Sequence, residues 1–192
     1  MSDKRLRLFF FGNCQTRVLY HALRSYSNIF DVDFISEVQD IAMDDIQLIR
    51  ASAAQCDVFI YQAVNNPKFL ITSDEILLHL RSDALAILLP SLYFDGYWPN
   101  LLDLFMTSSM PEISDGILYH IISVNKNISH IECASLYSNI IGQLTEAAIQ
   151  EHIDSSIGRL KERESANKVD IPLSDWIGQN YKREVAFYTC NH

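Results

Sequence analysis

A cysteine between two carboxamide residues is the feature of this sequence best suited to covalent chemistry. The segment GNCQ, residues 12–15, follows an uninterrupted apolar run and precedes apolar residues at helical spacing. Gly12 permits a tight turn, so the next backbone N–H groups are expected at a helix start, where partial positive charge collects. Such a position stabilises a thiolate, so we expect Cys14 to have a lowered pKa and a nucleophilic sulfur.

Polar groups around Cys14, and at the ends of other strand-like segments, suit the same chemistry. Asn13 and Gln15 carry neutral donors that can hold a developing oxyanion without protonating the nucleophile. Gln62 ends another apolar run, where its carboxamide either completes an oxyanion pocket or satisfies loop backbone groups. Glu37 is a weaker candidate for a polar role at the site. These residue types together predict an acyl-transfer site.

A thiol nucleophile benefits from a base, and the chain has six histidines. His192 alone directly follows a predicted core strand, so its imidazole is expected at the same sheet edge as Cys14. We therefore favour His192 as the base, with Asn191 or a carbonyl as its partner. We expect three of the other histidines to pack or face solvent: His21, His79 and His152. Two more, His120 and His130, stay open as candidates for the base.

The remaining cysteines are expected to differ from Cys14 in role. Cys56 abuts a strand and Cys133 lies on an apolar helical face, so both are predicted to be buried packing residues. Cys190 is ambiguous because it neighbours His192. Four widely spaced cysteines in an acidic chain argue against a disulfide scaffold and against a zinc ribbon, and we predict no metal site.

The elements that position these residues alternate between strand and helix. Continuous apolar runs are typical of buried parallel strands, and period-two alternation is typical of a half-buried one. We predict an α/β fold with a mostly parallel sheet flanked by helices in three layers, whose carboxyl ends carry the site. The predicted strands are residues 6–11, 30–38, 56–62 and 84–90, and the predicted helices are residues 15–26, 44–54 and 73–79.

The second half of the chain has a different pattern. From about residue 100 to residue 183 the apolar residues recur every three or four positions, which predicts a helical insertion. Residues 184–190 return to strand character, so residues 1–192 are predicted to form a single domain that contains the insertion. Before it, an aromatic loop that includes Tyr97 is suited either to covering an acyl chain or a planar or sugar ring, or to plugging the core.

Composition excludes several classes of function. The chain of 192 residues is 48% apolar, which is enough for one sizeable core. Its net charge of −9 provides no basic face for a phosphate backbone, so nucleic-acid binding is not expected. The apolar run LFFF is too short for a signal-peptide core or a membrane span, so a cytoplasmic protein is predicted. A homo-oligomer is compatible with the sequence.

Four segments in order, GNCQ, DVFIYQAV, LPSLYFDGYWP and FYTCNH, resemble those of the WcbI-like polysaccharide biosynthesis proteins. The resemblance implies an SGNH-like or flavodoxin-like sheet, in which Gly12, Asn13 and Cys14 stand in the block that carries the nucleophilic serine of SGNH enzymes. It also implies binding of coenzyme A or acetyl-coenzyme A and acetyl transfer to a sugar hydroxyl in capsule assembly. Cys14 and His192 would stand at the centre of that chemistry.

Three features depart from the pattern that the resemblance implies. Thr189 stands where SGNH enzymes place an Asp, so a Cys/His dyad is expected rather than a full triad. A catalytic histidine as the last residue would carry its own carboxylate beside the site, so we expect the natural chain to continue beyond His192. The sequence has no glycine-rich phosphate loop, so the coenzyme phosphates are expected at helix N-termini or at Arg17, Lys182 and Arg183.

Two alternatives to the acyltransferase follow from the same residues. One is a thiol esterase of the same architecture, which releases acyl groups to water. The other is a non-catalytic module that binds a nucleotide or a glycan, with Cys14 as a structural residue.

Overall fold

The computed structural model describes residues 5–26, 28–93, 101–104 and 112–182, which fall into two compact units. The described residues within Met1–Leu92 and Lys161–His192 form the first unit, and those within Tyr93–Leu160 form the second. The first contains β1 (Leu6–Phe11), α1 (Cys14–Arg24), β2 (Phe30–Phe34), α2 (Asp45–Gln55), β3 (Val58–Gln62), α3 (Ser73–Leu77) and β4 (Leu85–Leu89). The second contains β5 (Leu101–Leu104), β6 (Glu112–Asp115), α4 (Gly116–Val124) and α5 (His130–Ile141). The division falls within α6 (Glu146–Asn167), and α7 (Ser174–Asn180) belongs to the first unit.

The first four strands form one parallel sheet in the order β2-β1-β3-β4. Phe10 on the central strand β1 pairs with Phe34 on one side and with Ile60 on the other. All three pairings in the sheet are parallel, so the carboxyl ends of the four strands meet at one edge. The predicted α/β fold with a parallel sheet is confirmed.

Both faces of β1 are covered, as its sequence of consecutive apolar residues requires. Phe9, Phe10 and Phe11 are each 1% exposed, although successive side chains of a strand point to opposite faces. Phe9 and Phe11 belong to the core cluster that includes Ile49 and Ala53 of α2. One face of the sheet is therefore covered by α2.

The opposite face is covered by α1. Phe34 is the register partner of Phe10 and shares its face of the sheet. The ring of Tyr20 in α1 stacks on Phe34 with the ring centroids 5.5 Å apart. The predicted arrangement of helices on both faces is thus confirmed around β1.

Several boundaries differ from those that the sequence predicts. β2 ends at Phe34 and α3 ends at Leu77, both earlier than expected. The segment predicted to be a helical insertion opens with an antiparallel pair of strands, β5 and β6, before its helices begin. Strands of four residues are too short for a period of two to stand out against neighbouring helical spacing. The strand predicted at residues 184–190 lies outside the described residues, and the assignment of one domain with an insertion stays a prediction.

The start of α7 is fixed by a buried carboxylate rather than by its own cap residue. Leu173 occupies the cap position and provides no side-chain cap. Glu164 of α6 is 4% exposed and accepts hydrogen bonds from the backbone N–H groups of Leu173 and Ser174, at 2.6 and 3.0 Å. It also accepts one from the hydroxyl of Ser174. A carboxylate at a helix start is favoured by the helix dipole, so Glu164 ties α7 to the end of α6.

Glu164→Gln should lower the free energy of unfolding by about 1–3 kcal/mol, because an amide NH₂ would face donors that now meet a carboxylate oxygen. Urea unfolding followed by circular dichroism measures the change. Glu162→Gln is the matched control, since Glu162 is exposed on the same helix and its loss should change stability by less than about 0.5 kcal/mol. Equal stabilities of the two variants would contradict the role of Glu164.

Candidate functional site

The segment GNCQ forms the turn from β1 into α1 and is held first by its own atoms. Asn13 is the N-cap of α1, and its Oδ1 accepts a hydrogen bond from the backbone N–H of Gln15 at 2.9 Å. The buried hydroxyl of Thr16 donates to the Asn13 carbonyl at 2.6 Å. Because Asn13 caps the helix, α1 begins at Cys14, one residue before the predicted start at Gln15.

Gly12 allows another strand end to approach this turn closely. A Cβ at this position would lie 2.6 Å from Oε1 of Gln62 and 2.6 Å from Cγ2 of Thr16. Neither atom can move easily, because Thr16 is fully buried and Gln62 is 3% exposed and hydrogen-bonded. Residue 12 must therefore be glycine, because a Cβ would collide with Gln62 and Thr16.

Gln62, the last residue of β3, uses its whole carboxamide within the protein. Its Oε1 accepts from the backbone N–H of Asn13 at 3.0 Å. Its Nε2 donates to Oε1 of Gln15 at 2.9 Å and to the carbonyl of Pro90 at 3.3 Å. A primary amide has two N–H donors, so both are engaged, and Gln62 joins the ends of β1, β3 and β4.

Gln15 forms a two-way connection to the segment that follows β4. Its Nε2 donates to the Leu92 carbonyl at 2.7 Å, and its Oε1 accepts from the Leu92 N–H at 2.9 Å. The contact to Leu92 could not be predicted from the sequence, because backbone groups carry no signal in the residue type. The Cys14 turn and residues 90–92 are thus held in one arrangement.

The segment after β2 lies at the same sheet edge and carries a buried carboxylate that pairs with Arg17. The N–H of Val38 donates to the Gly12 carbonyl at 2.9 Å. The side chain of Glu37 is 3% exposed. Its Oε1 lies 2.7 Å from Nη1 of Arg17, but the two groups are not aligned for a hydrogen bond. Its Oε2 accepts a hydrogen bond from Nε2 of Gln39. Burying a carboxylate without a cation is costly, so Arg17 is needed beside Glu37.

Cys14, the first residue of α1, is half-buried, whereas two other cysteines are buried in the protein. Cys56 is 2% exposed and Cys133 is 9% exposed, as expected for packing residues. Burial raises the pKa of the Cys56 thiol, which leaves little reactive thiolate at neutral pH. Among the cysteines of the described ranges, Cys14 is thus the candidate for chemistry.

The other predicted site residues are not described at this turn. His192, Tyr97 and Arg183 lie outside the described residues, so the pairing of the Cys14 sulfur with a terminal imidazole stays a prediction. Lys182 follows α7, and its ammonium lies 5.6 Å from the ring centroid of Tyr181. The other histidines are exposed or half-buried: His21, His79, His120 and His130 are exposed, and His152 is half-buried.

A cleft in the second unit lacks the chemistry of a covalent site among its described residues. Its volume is about 650 Å³, and it is lined by polar residues such as Lys126, Asn127 and Ser135. It has no thiol or imidazole among its described lining residues. We therefore assign the candidate chemistry to the Cys14 turn.

The described residues contain neither a cluster of metal ligands nor a helix that could span a membrane. No group of three or more His, Cys, Asp or Glu side chains in these ranges is arranged to hold a metal ion. Within the same ranges, no helix has the length and apolar character needed to cross a membrane.

The fold and the turn define a class of α/β protein that presents a polar turn with a thiol at the carboxyl edge of a parallel sheet. Residues 7–192 match the sequence model of the family described as polysaccharide biosynthesis enzyme WcbI. The chain therefore belongs to the WcbI family. No curated protein matches it.

The chain is also similar to a solved structure of WcbI, which is described as a novel polysaccharide biosynthesis enzyme. The TM-score is 0.80 at 19% sequence identity, with 98% of this chain and 64% of that chain covered. At this identity the likeness shows a shared fold. The solved structure is described as the native protein without a disulfide bond between coenzyme A and its own Cys14.

Gly12→Ala should destabilise the protein by about 1–3 kcal/mol, because the new Cβ collides with Gln62 and Thr16. Gly158→Ala, in α6, is the matched control, and we expect it to change stability in the opposite direction. Its Cβ meets no atom within 4 Å, so removing a helical glycine should stabilise by roughly 0.5–1 kcal/mol. Urea unfolding measures both, and equal effects of the two substitutions would be inconsistent with a close approach at Gly12.

Iodoacetamide at neutral pH should modify Cys14 in the folded protein well before Cys56 and Cys133, because those two thiols are buried. Peptide mass spectrometry over a time course measures each site separately. Labelling in concentrated urea supplies the control, since all thiols are then accessible. If Cys14 reacts as slowly as Cys56 in the folded protein, the sulfur is not the reactive group that the turn implies.

Proposed function

We propose that this protein is an acyltransferase that carries an acyl group, most simply acetyl, from acyl-coenzyme A to a sugar hydroxyl in polysaccharide or capsule biosynthesis. The observation that carries the proposal is the position of Cys14, a half-buried thiol at the first residue of α1 within a rigid turn of carboxamides. Membership of the WcbI family supports the substrate class. The naming of coenzyme A together with a Cys14 in the related solved structure supports the donor.

The proposed covalent route has two steps. The Cys14 thiolate adds to the thioester carbonyl, the tetrahedral intermediate collapses, and the coenzyme leaves as a thiolate that takes up a proton. The sugar hydroxyl then gives its proton to His192 while its oxygen attacks the acyl-cysteine, which forms the ester and restores the Cys14 thiolate. In a direct route His192 deprotonates the sugar, and the turn stabilises the intermediate without an acyl-enzyme.

The start of α1 suits a thiolate nucleophile. Partial positive charge collects at a helix N-terminus and lowers the energy of a nearby anion. The turn itself adds no charge, because Asn13, Gln15 and Gln62 are all neutral amides. The dipole of α1 is therefore not cancelled by an acidic side chain within GNCQ.

Basic residues are proposed to bind the coenzyme phosphates. Arg17 is half-exposed, and its contact with Glu37 involves Nη1, which leaves other N–H groups of the guanidinium for a phosphate. Lys182 and Arg183 are proposed for the same role, and Tyr97 for covering the acyl group or sugar ring. We further propose an SGNH-like sheet as the framework and the cytoplasm as the location.

Coenzyme A and acetyl-coenzyme A should raise the melting temperature in a saturable manner, by an amount equivalent to about 2.7 kcal/mol at a hundred times the dissociation constant. Incubation with acetyl-coenzyme A should add the mass of one acetyl group to Cys14 by the covalent route. Cys14→Ser should not give the thioester adduct, whereas the matched variant Cys133→Ser should.

Each other outcome identifies a different function. Coenzyme A binding without an acyl-cysteine under trapping conditions would support the direct route. Ester hydrolysis without any coenzyme A affinity would support the thiol esterase. An unreactive Cys14 in a protein that is stabilised only by a nucleotide or a glycan would support the non-catalytic binding module.

A further inference from the structure

We propose that the three carboxamides at the turn have different tasks: Asn13 donates a hydrogen bond to the acyl oxygen of the substrate, and Gln15 and Gln62 are positioning residues. The inference rests on the proposed acyl transfer and deepens it. The sequence alone makes all three amides candidates for binding the oxyanion, with a backbone-binding role as the alternative for Gln62. Their hydrogen bonds in the folded protein make them unequal.

The orientation of the Gln62 amide is fixed by its partners on both sides. The N–H of Asn13 requires the oxygen of Gln62, and the Pro90 carbonyl requires the NH₂. The second N–H is donated to Oε1 of Gln15. With both N–H groups donated inside the protein and the side chain 3% exposed, Gln62 cannot bind substrate unless this network breaks.

The orientation of the Gln15 amide is fixed by Leu92, which engages its oxygen and one of its two N–H groups. The backbone of Leu92 both donates to its Oε1 and accepts from its Nε2, so a flipped amide would put like groups together. Its oxygen also receives the hydrogen bond from Gln62, which fills both acceptor positions. Gln15 thus fixes residues 90–92 against the turn.

Asn13 differs because only one end of its amide is engaged. Its Oδ1 accepts from the N–H of Gln15 as the helix cap, which leaves the NH₂ on the other side of the amide group. Among the contacts of the described residues, Nδ2 has no hydrogen-bond partner, and the side chain is half-buried rather than sealed. The residue directly precedes Cys14 in the chain, so its NH₂ is a neutral donor that remains available at the turn.

Such a donor is used when the tetrahedral intermediate forms. As the Cys14 sulfur adds to the thioester carbon, the π electrons of the carbonyl move to its oxygen, and the Nδ2–H of Asn13 donates to that oxyanion. No proton leaves the amide, and the oxyanion collapses as the bond to the coenzyme sulfur breaks. Donors that are already oriented toward developing charge typically contribute 10²–10³-fold to the rate.

Asn13→Ser tests the assignment because serine keeps the N-cap acceptor and removes the NH₂ donor. We expect kcat for acyl transfer to fall by about 10²–10³-fold. The KM for acyl-coenzyme A, the coenzyme-induced rise in melting temperature and the alkylation rate of Cys14 should stay close to those of the wild type. These three readouts separate loss of the donor from loss of the fold.

Gln62→Glu is the contrasting variant for a positioning residue. It keeps the oxygen that accepts from Asn13, but it directs a carboxylate oxygen at two acceptors, Oε1 of Gln15 and the Pro90 carbonyl. We expect the melting temperature, the alkylation rate of Cys14 and kcat to change together.

If the wild type is active and Asn13→Ser keeps kcat within about threefold, or loses coenzyme binding in parallel with kcat, the assignment of Asn13 is overturned. If the wild type binds no coenzyme A and transfers no acyl group, the proposed function itself fails, and the assignment of Asn13 falls with it.

Discussion

At the point where the chain leaves β1, the carboxamide of Gln62 fills the space that a side chain on residue 12 would need. Its oxygen holds the N–H of Asn13, and its two N–H groups hold Gln15 and the Pro90 carbonyl. Without Gln62, the Asn13 N–H and the Pro90 carbonyl would each need another partner, because buried polar groups are nearly always hydrogen-bonded. The placement of the Cys14 thiol therefore depends on an amide that is distant in sequence and close in space.

The charges around the turn follow a second constraint. The chain is acidic, yet the residues that contact the turn most closely are neutral amides, and the buried carboxylate nearby is Glu37, which is paired with Arg17. Removing Arg17 would leave a buried carboxylate without its cation. An arginine that is half-exposed neutralises Glu37 and still has N–H groups directed elsewhere. A phosphate-binding role and a structural role for Arg17 are therefore compatible.

The hydrogen bonds of the three amides illustrate a general feature of polar turns at sheet edges. A loop residue can serve substrate only if the backbone groups around it are already satisfied, because buried N–H and C=O groups compete for every nearby donor and acceptor. Gln15 and Gln62 supply partners to the backbone of Asn13, Pro90 and Leu92. The amide oxygen of Asn13 therefore caps α1, and its amide nitrogen has no hydrogen-bond partner among the described residues.

The sequence by itself determined the parallel sheet, the turn at its carboxyl edge and the start of a helix at GNCQ, because these depend on local signals. An unbroken apolar run indicates a strand buried on both faces, and a glycine and a cap residue before helical spacing indicate a strand-to-helix turn. Only the tertiary structure decided what Gln15, Gln62 and Arg17 do there. An amide or a guanidinium can bind substrate or bind the protein. The choice depends on whether groups from the segments that follow other strands, such as Leu92 and Glu37, lie within hydrogen-bond or ion-pair distance.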